Sequence, residues 1–201
     1  MRYVSRGGIK LEQALRAFRL EVAGLVALDI GASTGGFTDC LLQHGARRVY
    51  ALDVGTSQLA PALREDPRVI AFEGRNFRTF QASELPEPVD LITVDVSFIS
   101  LTLVLPLLPP FLPLGGGVVA LVKPQFEVGA DEVGRGGIVR DSACRTWAVS
   151  RVLSVAATAG FRVMQRVEAP RSRHQGNQEL FVHLSWAGRT SPAAEDEPPR
   201  R

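Results

Sequence analysis

The stretch LDIGASTGGFTD, residues 28–39, decides the fold of this 201-residue chain. It closes an apolar run, LVALDI at 25–30, of the kind found in strands that are buried on both faces of a sheet. A turn of Gly, Ser and Thr follows, and a helix is predicted to begin around Gly35. Gly31, Gly35 and Gly36 allow the backbone to approach a ligand closely at the carboxyl edge of the sheet. The stretch therefore predicts a strand–turn–helix unit that binds a small molecule.

The glycine spacing separates this loop from two common nucleotide-binding loops. Counted from Gly31, the third position is Ser33, where the dinucleotide fingerprint GxGxxG has its second glycine. No GK[ST] string follows, so the stretch is not a phosphate-binding P-loop either. Because a pyrophosphate needs the second glycine, an NAD-dependent oxidoreductase is disfavoured, and a smaller ligand without phosphates fits better.

Strand and helix patterns alternate along most of the chain. Strands are predicted at 25–30, 47–54, 68–72, 89–96, 117–123, 161–168 and 180–186, and helices at 10–18, 35–45, 57–66 and 141–160. This alternation predicts an α/β fold with a mostly parallel seven-stranded sheet and helices on both faces. The last two strands have no helix between them, so we expect them to form an antiparallel edge. One domain is predicted over 1–186, with a disordered tail over 187–201.

Composition limits the class of protein. The chain is 45% hydrophobic and 22% charged, as ordinary globular proteins are, and no run of 18 apolar residues predicts a membrane span. Cys40 and Cys144 are isolated and have no metal-binding spacing, which favours reduced thiols in a cytoplasmic protein and predicts no metal site.

Basic residues cluster in two segments although the net charge is only +2. Residues 1–19 carry five basic residues against one acid, and residues 162–174 carry four arginines and a histidine against one acid. The two clusters could meet on one face and bind phosphates, or they could be two separate solvated surfaces.

Polar residues also end several of the predicted strands. Asp53 lies 22 residues after Gly31, where an acid can accept both hydroxyls of a ribose, although a turn or helix cap would also explain it. Asn76 follows the next strand and could bond the edge of an adenine, but asparagine is common in turns. Asp95 and Lys123 end two successive strands, at the edge where an open α/β sheet builds its active site.

Lysine is rare in this chain. Lys10 and Lys123 are the only two lysines, whereas 21 basic residues are arginine. Coding bias is one explanation. The chemical explanation is that arginine stays protonated in proteins, whereas lysine can release its proton and act as a base. The long glycine-rich segment after Lys123, residues 126–141, is a candidate lid over a substrate.

These features together resemble the TlyA, or hemolysin A, family of ribosomal RNA 2′-O-ribose methyltransferases, which contain an FtsJ-like methyltransferase domain. The resemblance runs from residue 2 to about residue 184. The strings that carry it include RYVSRGGIKLEQAL (2–15), DIGASTGGFTDCLL (29–42), ALDVGTSQLA (51–60), VDVSFISL (94–101), LVKPQFEVG (121–129), VGRGGIVRD (133–141) and GNQELF (176–181). It implies a Rossmann-like fold, S-adenosylmethionine (SAM) as cofactor, and ribosomal RNA or ribosomal subunits as partners.

The resemblance also implies the roles of individual residues. The catalytic set corresponds to Lys10, Asp95, Lys123 and Glu179, and we assign Lys123 as the base. The SAM loop corresponds to Gly31, Ala32, Ser33, Gly35, Gly36 and Phe37, with Asp53 on the ribose, Asn76 near the adenine and Asp95 beside the methyl end. From the two basic clusters, Arg2, Arg6, Arg171 and Arg173 are predicted to contact RNA.

Further expectations accompany the resemblance. Members of the family usually begin with a small RNA-binding module, and this chain begins immediately before RYVSR, so we expect the module to be missing. A catalytically silent SAM- or RNA-binding protein is the alternative, because it would keep the glycine loop without needing the four-residue set. A membrane-lytic protein is disfavoured, since nothing in the sequence is amphipathic or long enough to form a pore.

Overall fold

The computed structural model describes residues 2–170 and 176–188. Seven strands form one sheet in the order β3-β2-β1-β4-β5-β7-β6. The strands are β1 (Val26–Ile30), β2 (Arg48–Asp53), β3 (Val69–Glu73), β4 (Leu91–Val94), β5 (Gly117–Val122), β6 (Phe161–Glu168) and β7 (Leu180–Trp186). The α-helices are α1 (Arg6–Phe18), α2 (Gly36–Gln43), α3 (Pro61–Arg64) and α4 (Ser142–Thr158).

The strand directions confirm the predicted α/β fold. Strands β1 to β5 are parallel to one another, and β7 runs antiparallel between β5 and β6. The antiparallel edge is therefore a β7–β6 pair, as expected from the two strands without an intervening helix. The carboxyl ends of the parallel strands all lie along one edge, which is where such sheets place their binding sites.

Helix bounds differ from the predicted ones at two places. Helix α1 begins at Arg6 rather than residue 10, because the Ser5 side chain caps it by accepting a hydrogen bond from the Gly7 N–H at 3.3 Å. The segment predicted as a helix over 57–66 is helical only over Pro61–Arg64. Between β4 and β5 the chain forms three short 3-10 turns, two of which have a proline at their first or second position.

The core has two layers, one on each face of the sheet. Helices α1 and α2 bury their apolar residues, such as Leu11, Leu15 and Leu41, against one face. Helix α4 and the 3-10 turns cover the other face, with Val152 and Leu105 among the buried residues. Both faces of the central strands are thus apolar, which explains their continuous hydrophobic runs.

Glycines set the contact between α1 and α2. A Cβ atom at Gly36 would lie 2.1 Å from Ser5 Oγ and 3.0 Å from the Gly8 nitrogen, so a side chain there would separate the helix starts. Asp39 adds a tie, because its Oδ2 accepts a hydrogen bond from the Val4 N–H at 2.8 Å. The start of α1 is therefore held beside the glycine loop, and Lys10 is placed one turn into the helix.

Two further predictions concern the chain as a whole. In the part of the chain that the structure describes, no helix is long and apolar enough to cross a membrane. The predicted disordered tail lies outside the described residues from residue 189 onward.

Candidate active site

The loops that follow β1 and β4 are in backbone contact at Gly31. This residue has φ +83°, and a Cβ atom there would lie 2.5 Å from the carbonyl oxygen of Asp95. Only glycine tolerates both the left-handed conformation and the close approach. The contact brings the glycine loop beside the loop that carries Asp95, and two cavities open on its two sides.

The first cavity, here called the loop cavity, has a volume of about 480 Å³. It lies over the ends of β1, β2 and β4. Apolar groups such as Ile30, Leu52 and Phe77 form much of its wall, and Asp53 and Asn76 provide polar groups. A mostly apolar cavity with a few polar groups is typical of a small-molecule site.

The second cavity, here called the lysine cavity, has a volume of about 470 Å³. It lies between the start of α1 and the ends of β1, β4 and β5, and Arg6, Lys10 and Lys123 contribute to its lining. The two cavities meet, because both are lined by Gly31, Ser33, Asp95 and Ser97. A ligand in one cavity can therefore contact a ligand in the other beside Asp95.

Asp53 ties the glycine loop to the end of β2. Its Oδ2 accepts a hydrogen bond from the Ser33 N–H at 2.8 Å, and its Oδ1 accepts one from the Gly55 N–H at 2.7 Å. These bonds hold Ser33 at φ +50°, a conformation that non-glycine residues rarely adopt. Each carboxylate oxygen can still accept a second hydrogen bond from a ligand in the loop cavity.

The amide oxygen of Asn76 has a structural role. This Oδ1 atom accepts a hydrogen bond from the Arg78 N–H at 3.0 Å and caps the 3-10 turn Phe77–Thr79. The amide nitrogen has no partner among the described residues, and Asn76 lines the loop cavity. The residue can therefore act both as a cap and as a ligand donor.

Asp95 and Lys123 form an ion pair where the cavities meet. Lys123 Nζ lies 2.7 Å from Asp95 Oδ1 and donates a hydrogen bond to Ser97 Oγ at 2.9 Å. Asp95 Oδ1 is buried and receives no well-aligned hydrogen bond from the described residues. The contact between the two residues is therefore one of charge and proximity, whereas the directed bond of Lys123 goes to Ser97. Only 12% of the Lys123 side chain is exposed.

Lys10 and Glu179 form a second ion pair beside the lysine cavity. Lys10 Nζ donates a hydrogen bond to Glu179 Oε2 at 2.5 Å, and both side chains are mostly buried. The structure thus brings all four residues of the expected catalytic set together as two pairs. One pair lies at the ends of β4 and β5, and the other joins α1 to the residue before β7.

The other predicted cofactor residues are divided between the cavities. Gly31, Ser33, Asp53, Asn76 and Asp95 line the loop cavity. The lining of the lysine cavity includes Ala32, Gly36 and Phe37. Gly35 lies outside both linings, and a Cβ atom there would lie 2.3 Å from Leu63 Cδ1, so its role in the structure is close packing against α3.

The predicted RNA contacts are only partly described. Arg6 lines the lysine cavity. Arg2 is more than half exposed and pairs with Glu12 Oε1 at 2.6 Å, the same oxygen that Arg16 contacts at 2.6 Å. Arg171 and Arg173 lie outside the described residues.

Two residues in the loop after β4 belong to the site but were not predicted from the sequence. Ser97 accepts the directed hydrogen bond of Lys123. Phe98 is 91% exposed at φ +63°, lines the loop cavity, and has its ring centroid 5.2 Å from that of Phe126. An exposed aromatic ring in a strained conformation beside a cavity is typical of a functional site. Both residues closely follow the strand-end Asp95, and this position was the available signal.

Asp29 is buried in the sheet beneath the site. Its carboxylate accepts hydrogen bonds from Thr38 Oγ1 at 2.7 Å and from Thr93 Oγ1 at 2.9 Å, and so joins β1 to α2 and β4. Burial raises the pKa of Asp29 to about 6, although the two threonine hydroxyls oppose the shift. The residue supports the glycine loop from below.

The candidate lid after Lys123 is anchored at its far end. Asn177 accepts a hydrogen bond from the Val139 N–H at 2.7 Å and donates one to the Gly137 carbonyl at 2.7 Å. Arg145 donates to the Val139 carbonyl at 3.1 Å. These contacts fix residues 137–139 against the segment that precedes β7, and a lid role for the rest of the loop stays a prediction.

The fold and the paired cavities define the class of protein. The sheet order is that of Rossmann-like methyltransferases, and the fibrillarin of Aeropyrum pernix, solved with S-adenosyl-L-methionine, has the same fold at a TM-score of 0.64 and 15% identity. That comparison covers 89% of this chain and 76% of the fibrillarin chain.

The chain belongs to the FtsJ-like methyltransferase family, whose model matches residues 3–186. It is 46% identical over 182 residues to the 16S/23S rRNA (cytidine-2′-O)-methyltransferase TlyA of Mycobacterium tuberculosis, an alignment that covers 90% of this chain and 68% of that protein. Hemolysin A of Brachyspira hyodysenteriae is 42% identical, with 92% and 77% covered. A solved structure from Streptococcus thermophilus has a TM-score of 0.89 and 49% identity, with 92% and 68% covered. Within the family, the chain falls in the TlyA/hemolysin A group.

Proposed function

We propose that this protein transfers a methyl group from SAM to a ribose 2′-hydroxyl of ribosomal RNA. The observation that carries the proposal is the junction of the two cavities at Asp95, with the Lys123 amine beside it. A donor in the loop cavity and an acceptor in the lysine cavity would meet there. The TlyA proteins of Mycobacterium tuberculosis and Campylobacter jejuni are named for methylation of this type, on cytidine 2′-oxygens of ribosomal RNA.

The residues of the loop cavity fit SAM. Asp53 has acceptor capacity for ribose hydroxyls, Asn76 has an amide donor for an adenine edge, and the apolar wall suits a purine. The backbone of the glycine loop itself lines this cavity at Gly31 and Ser33. When bound, SAM supplies an electrophilic methyl group on a positively charged sulfur. Asp95 lines both cavities, and its carboxylate would hold that end at their junction.

The lysine cavity fits a nucleotide of an RNA chain. Arg6 and Lys10 line it and supply positive charge for a phosphate. Phe98 offers an exposed aromatic face next to the junction, which suits stacking of an unpaired base. Glu179 holds Lys10 in place, so that Lys10 can position the hydroxyl or a neighbouring phosphate.

Lys123 is the proposed general base. A ribose hydroxyl is a weak nucleophile and gains reactivity when its proton is removed during attack. In the structure Lys123 pairs with Asp95 and donates a hydrogen bond to Ser97, and in its neutral amine form it would take the hydroxyl proton as the methyl group passes to the oxygen. Asp95 and Ser97 hold the amine at the junction in both states. Such positioning supplies much of the acceleration in transfers between two bound substrates.

The experiment is transfer of labelled methyl from SAM to ribosomal subunits and to the RNA stripped from them. Lys123→Arg protein is the paired control, because it keeps the positive charge and removes the base. We expect label in the RNA, at a site resistant to alkaline cleavage because its 2′-hydroxyl is blocked. Label on a base, or none from protein that binds SAM, would overturn the proposal, and the second result would favour the silent binding protein.

A further inference from the structure

Glu127 is a buried carboxylate outside both cavities. It is 2% exposed, and it lies four residues after Lys123 in the loop that follows β5. Its Oε2 accepts a hydrogen bond from Ser100 Oγ at 2.6 Å, and its Oε1 accepts one from the Leu101 N–H at 2.8 Å. Within the described residues neither oxygen has a cation partner, and Arg151 instead donates to the backbone carbonyl of Glu127 at 2.9 Å.

Burying a carboxylate at this place lowers the stability of the fold unless both of its oxygens are needed as hydrogen-bond acceptors. Burial raises the pKa of Glu127, and the bonds from Ser100 and Leu101 and the charge of Arg151 offset part of that shift. A hydrophobic side chain would avoid the desolvation cost but would leave the Leu101 N–H and the Ser100 hydroxyl without this acceptor. The carboxylate therefore serves as a double acceptor that joins two loops.

The loop after β4 and the loop after β5 contact each other at three successive places. Lys123 reaches Asp95 and Ser97 at the junction of the cavities. Phe126 contacts Phe98, with ring centroids 5.2 Å apart. Glu127 binds Ser100 and Leu101 behind them. The Glu127 contacts form the buried end of this series, and the Lys123 contacts form the end that faces the ligands.

We infer that Glu127 is a positioning residue, which fixes the loop carrying Ser97 against the loop carrying Lys123 and thereby sets the geometry of the Lys123–Asp95 pair. This inference rests on the proposed function, because it assigns Glu127 an effect on methyl transfer through Lys123. A misplacement of about 1 Å at a reacting centre costs up to about 100-fold in rate. Loss of the Glu127 contacts should therefore lower kcat much more than it weakens SAM binding.

The test compares Glu127→Ala with Glu127→Gln in the full chain. The alanine variant loses both acceptors. The glutamine variant keeps one oxygen for the Leu101 N–H and can donate to Ser100, whose hydroxyl can turn toward Thr102, 2.7 Å away. We expect kcat to fall by about 10- to 100-fold in the alanine variant and by less than about 3-fold in the glutamine variant. The concentration of active sites is fixed by SAM titration.

The pH dependence of kcat separates positioning from stability. If Glu127 sets the surroundings of Lys123, the half-maximal pH of kcat moves by about 0.5 unit or more in the alanine variant and stays in place in the glutamine variant. Glu87→Ala is the control, since it removes ion pairs with Arg47 and Arg48 at the opposite edge of the sheet. It should lower Tm without moving the pH profile.

The remaining outcomes distinguish failure of the inference about Glu127 from failure of the proposed function. An alanine variant with lower Tm but an unchanged kcat and pH profile overturns the inference while the wild type still transfers methyl. A wild type without transfer overturns the proposed function instead. If the alanine variant does not fold, Ser100→Ala should show the same kcat loss and pH shift in weaker form, and an unaltered Ser100→Ala variant would overturn the inference.

Discussion

Lys10 and Glu179, which are 169 residues apart in the chain, form an ion pair of 2.5 Å beside the lysine cavity. One comes from α1, the first helix, and the other directly precedes β7, the antiparallel strand between β5 and β6. The pair therefore closes the site with two elements from opposite ends of the folded region, and it needs both in place. Sequence distance alone gives no sign of this contact.

Loss of Glu179 should slow methyl transfer because it releases Lys10 from its position. Glu179→Ala leaves a mostly buried lysine without its partner, so Lys10 should leave its position, and we expect kcat to fall by about 10- to 100-fold with SAM affinity changed less than about 3-fold. In the double variant with Lys10→Ala the two losses should be far from additive, because both remove one unit. Arg16→Ala is the control, because Arg16 lies on the same helix but is paired with Glu12. Fully additive losses from the Glu179 and Lys10 substitutions would contradict their coupling.

Lys123→Arg should lower turnover by orders of magnitude while the protein still binds SAM. The guanidinium keeps the charge opposite Asp95 but stays protonated, so it cannot accept the hydroxyl proton. We expect a loss of about 10²- to 10⁴-fold in kcat, the usual contribution of a general base. Calorimetric titration with SAM should give an affinity within a few-fold of the wild type. A Lys123→Arg protein with wild-type kcat would rule out the base assignment.

Asp53→Ala should weaken SAM binding more than it affects the reaction. The substitution removes the proposed acceptors for the ribose and also leaves the Ser33 and Gly55 N–H groups without their partner. We expect Kd for SAM to rise by about 10-fold or more, corresponding to about 1.4 kcal/mol, with kcat at saturating SAM changed less. Asp66→Ala, which removes a surface pair with Arg68, serves as the control and should leave Kd unchanged.

The parallel part of the sheet was largely predictable because its strands are short, mostly apolar runs that end at or just before recognisable polar residues. The strand that ends at Asp53 and the one that ends before Lys123 were both placed within one or two residues. The helix predicted over 57–66 was wrong for residues 57–60, where the Gln58 and Leu59 N–H groups bond to the side chain of Glu73 instead of forming a helical turn. The acceptor, Glu73, belongs to β3, so the local sequence pattern of residues 57–66 does not reveal these bonds.

The candidate site was only partly predictable for the same physical reason. Strand-end residues such as Asp95 and Lys123 could be placed from topology alone, since parallel strands bring their ends to one edge. Lys10 and Glu179 could not be placed in that way, because neither lies at the carboxyl end of a parallel strand. The rarity of lysine drew attention to Lys10, and only the resemblance to a family pointed to Glu179. Glu127 was missed because its importance lies in a contact with a different loop.

Asp29 should make stability depend on pH in a defined direction. Its pKa is raised to about 6 in the folded protein from 3.8, so the folded state binds this proton more tightly than the unfolded state does. The contribution of Asp29 to the free energy of unfolding is therefore largest below about pH 4 and is lost as pH rises through about 6. The difference between these two pKa values corresponds to about 3 kcal/mol of unfolding free energy.

Asp29→Asn removes this titration while it keeps one acceptor and one donor for Thr38 and Thr93. In urea unfolding, the free energy of the variant minus that of the wild type should rise by up to about 3 kcal/mol between about pH 4 and about pH 7. Other titrating groups, including Glu127, are common to both proteins and cancel in the difference. A difference that stays constant over this range would show that Asp29 does not titrate there.

Gly31→Ala should damage both the fold and SAM binding. The substitution forces a non-glycine residue to φ +83° and puts its Cβ 2.5 Å from the Asp95 carbonyl oxygen, so the loops after β1 and β4 must separate. Gly115→Ala isolates the first of these effects, because Gly115 has φ +84° and a Cβ atom there would meet nothing within 4 Å. We expect Gly115→Ala to cost about 1–2 kcal/mol of unfolding free energy with SAM affinity unchanged. Gly31→Ala should cost more and should also raise Kd for SAM by at least about 10-fold, and equal effects of the two substitutions would contradict the close contact at the junction of the cavities.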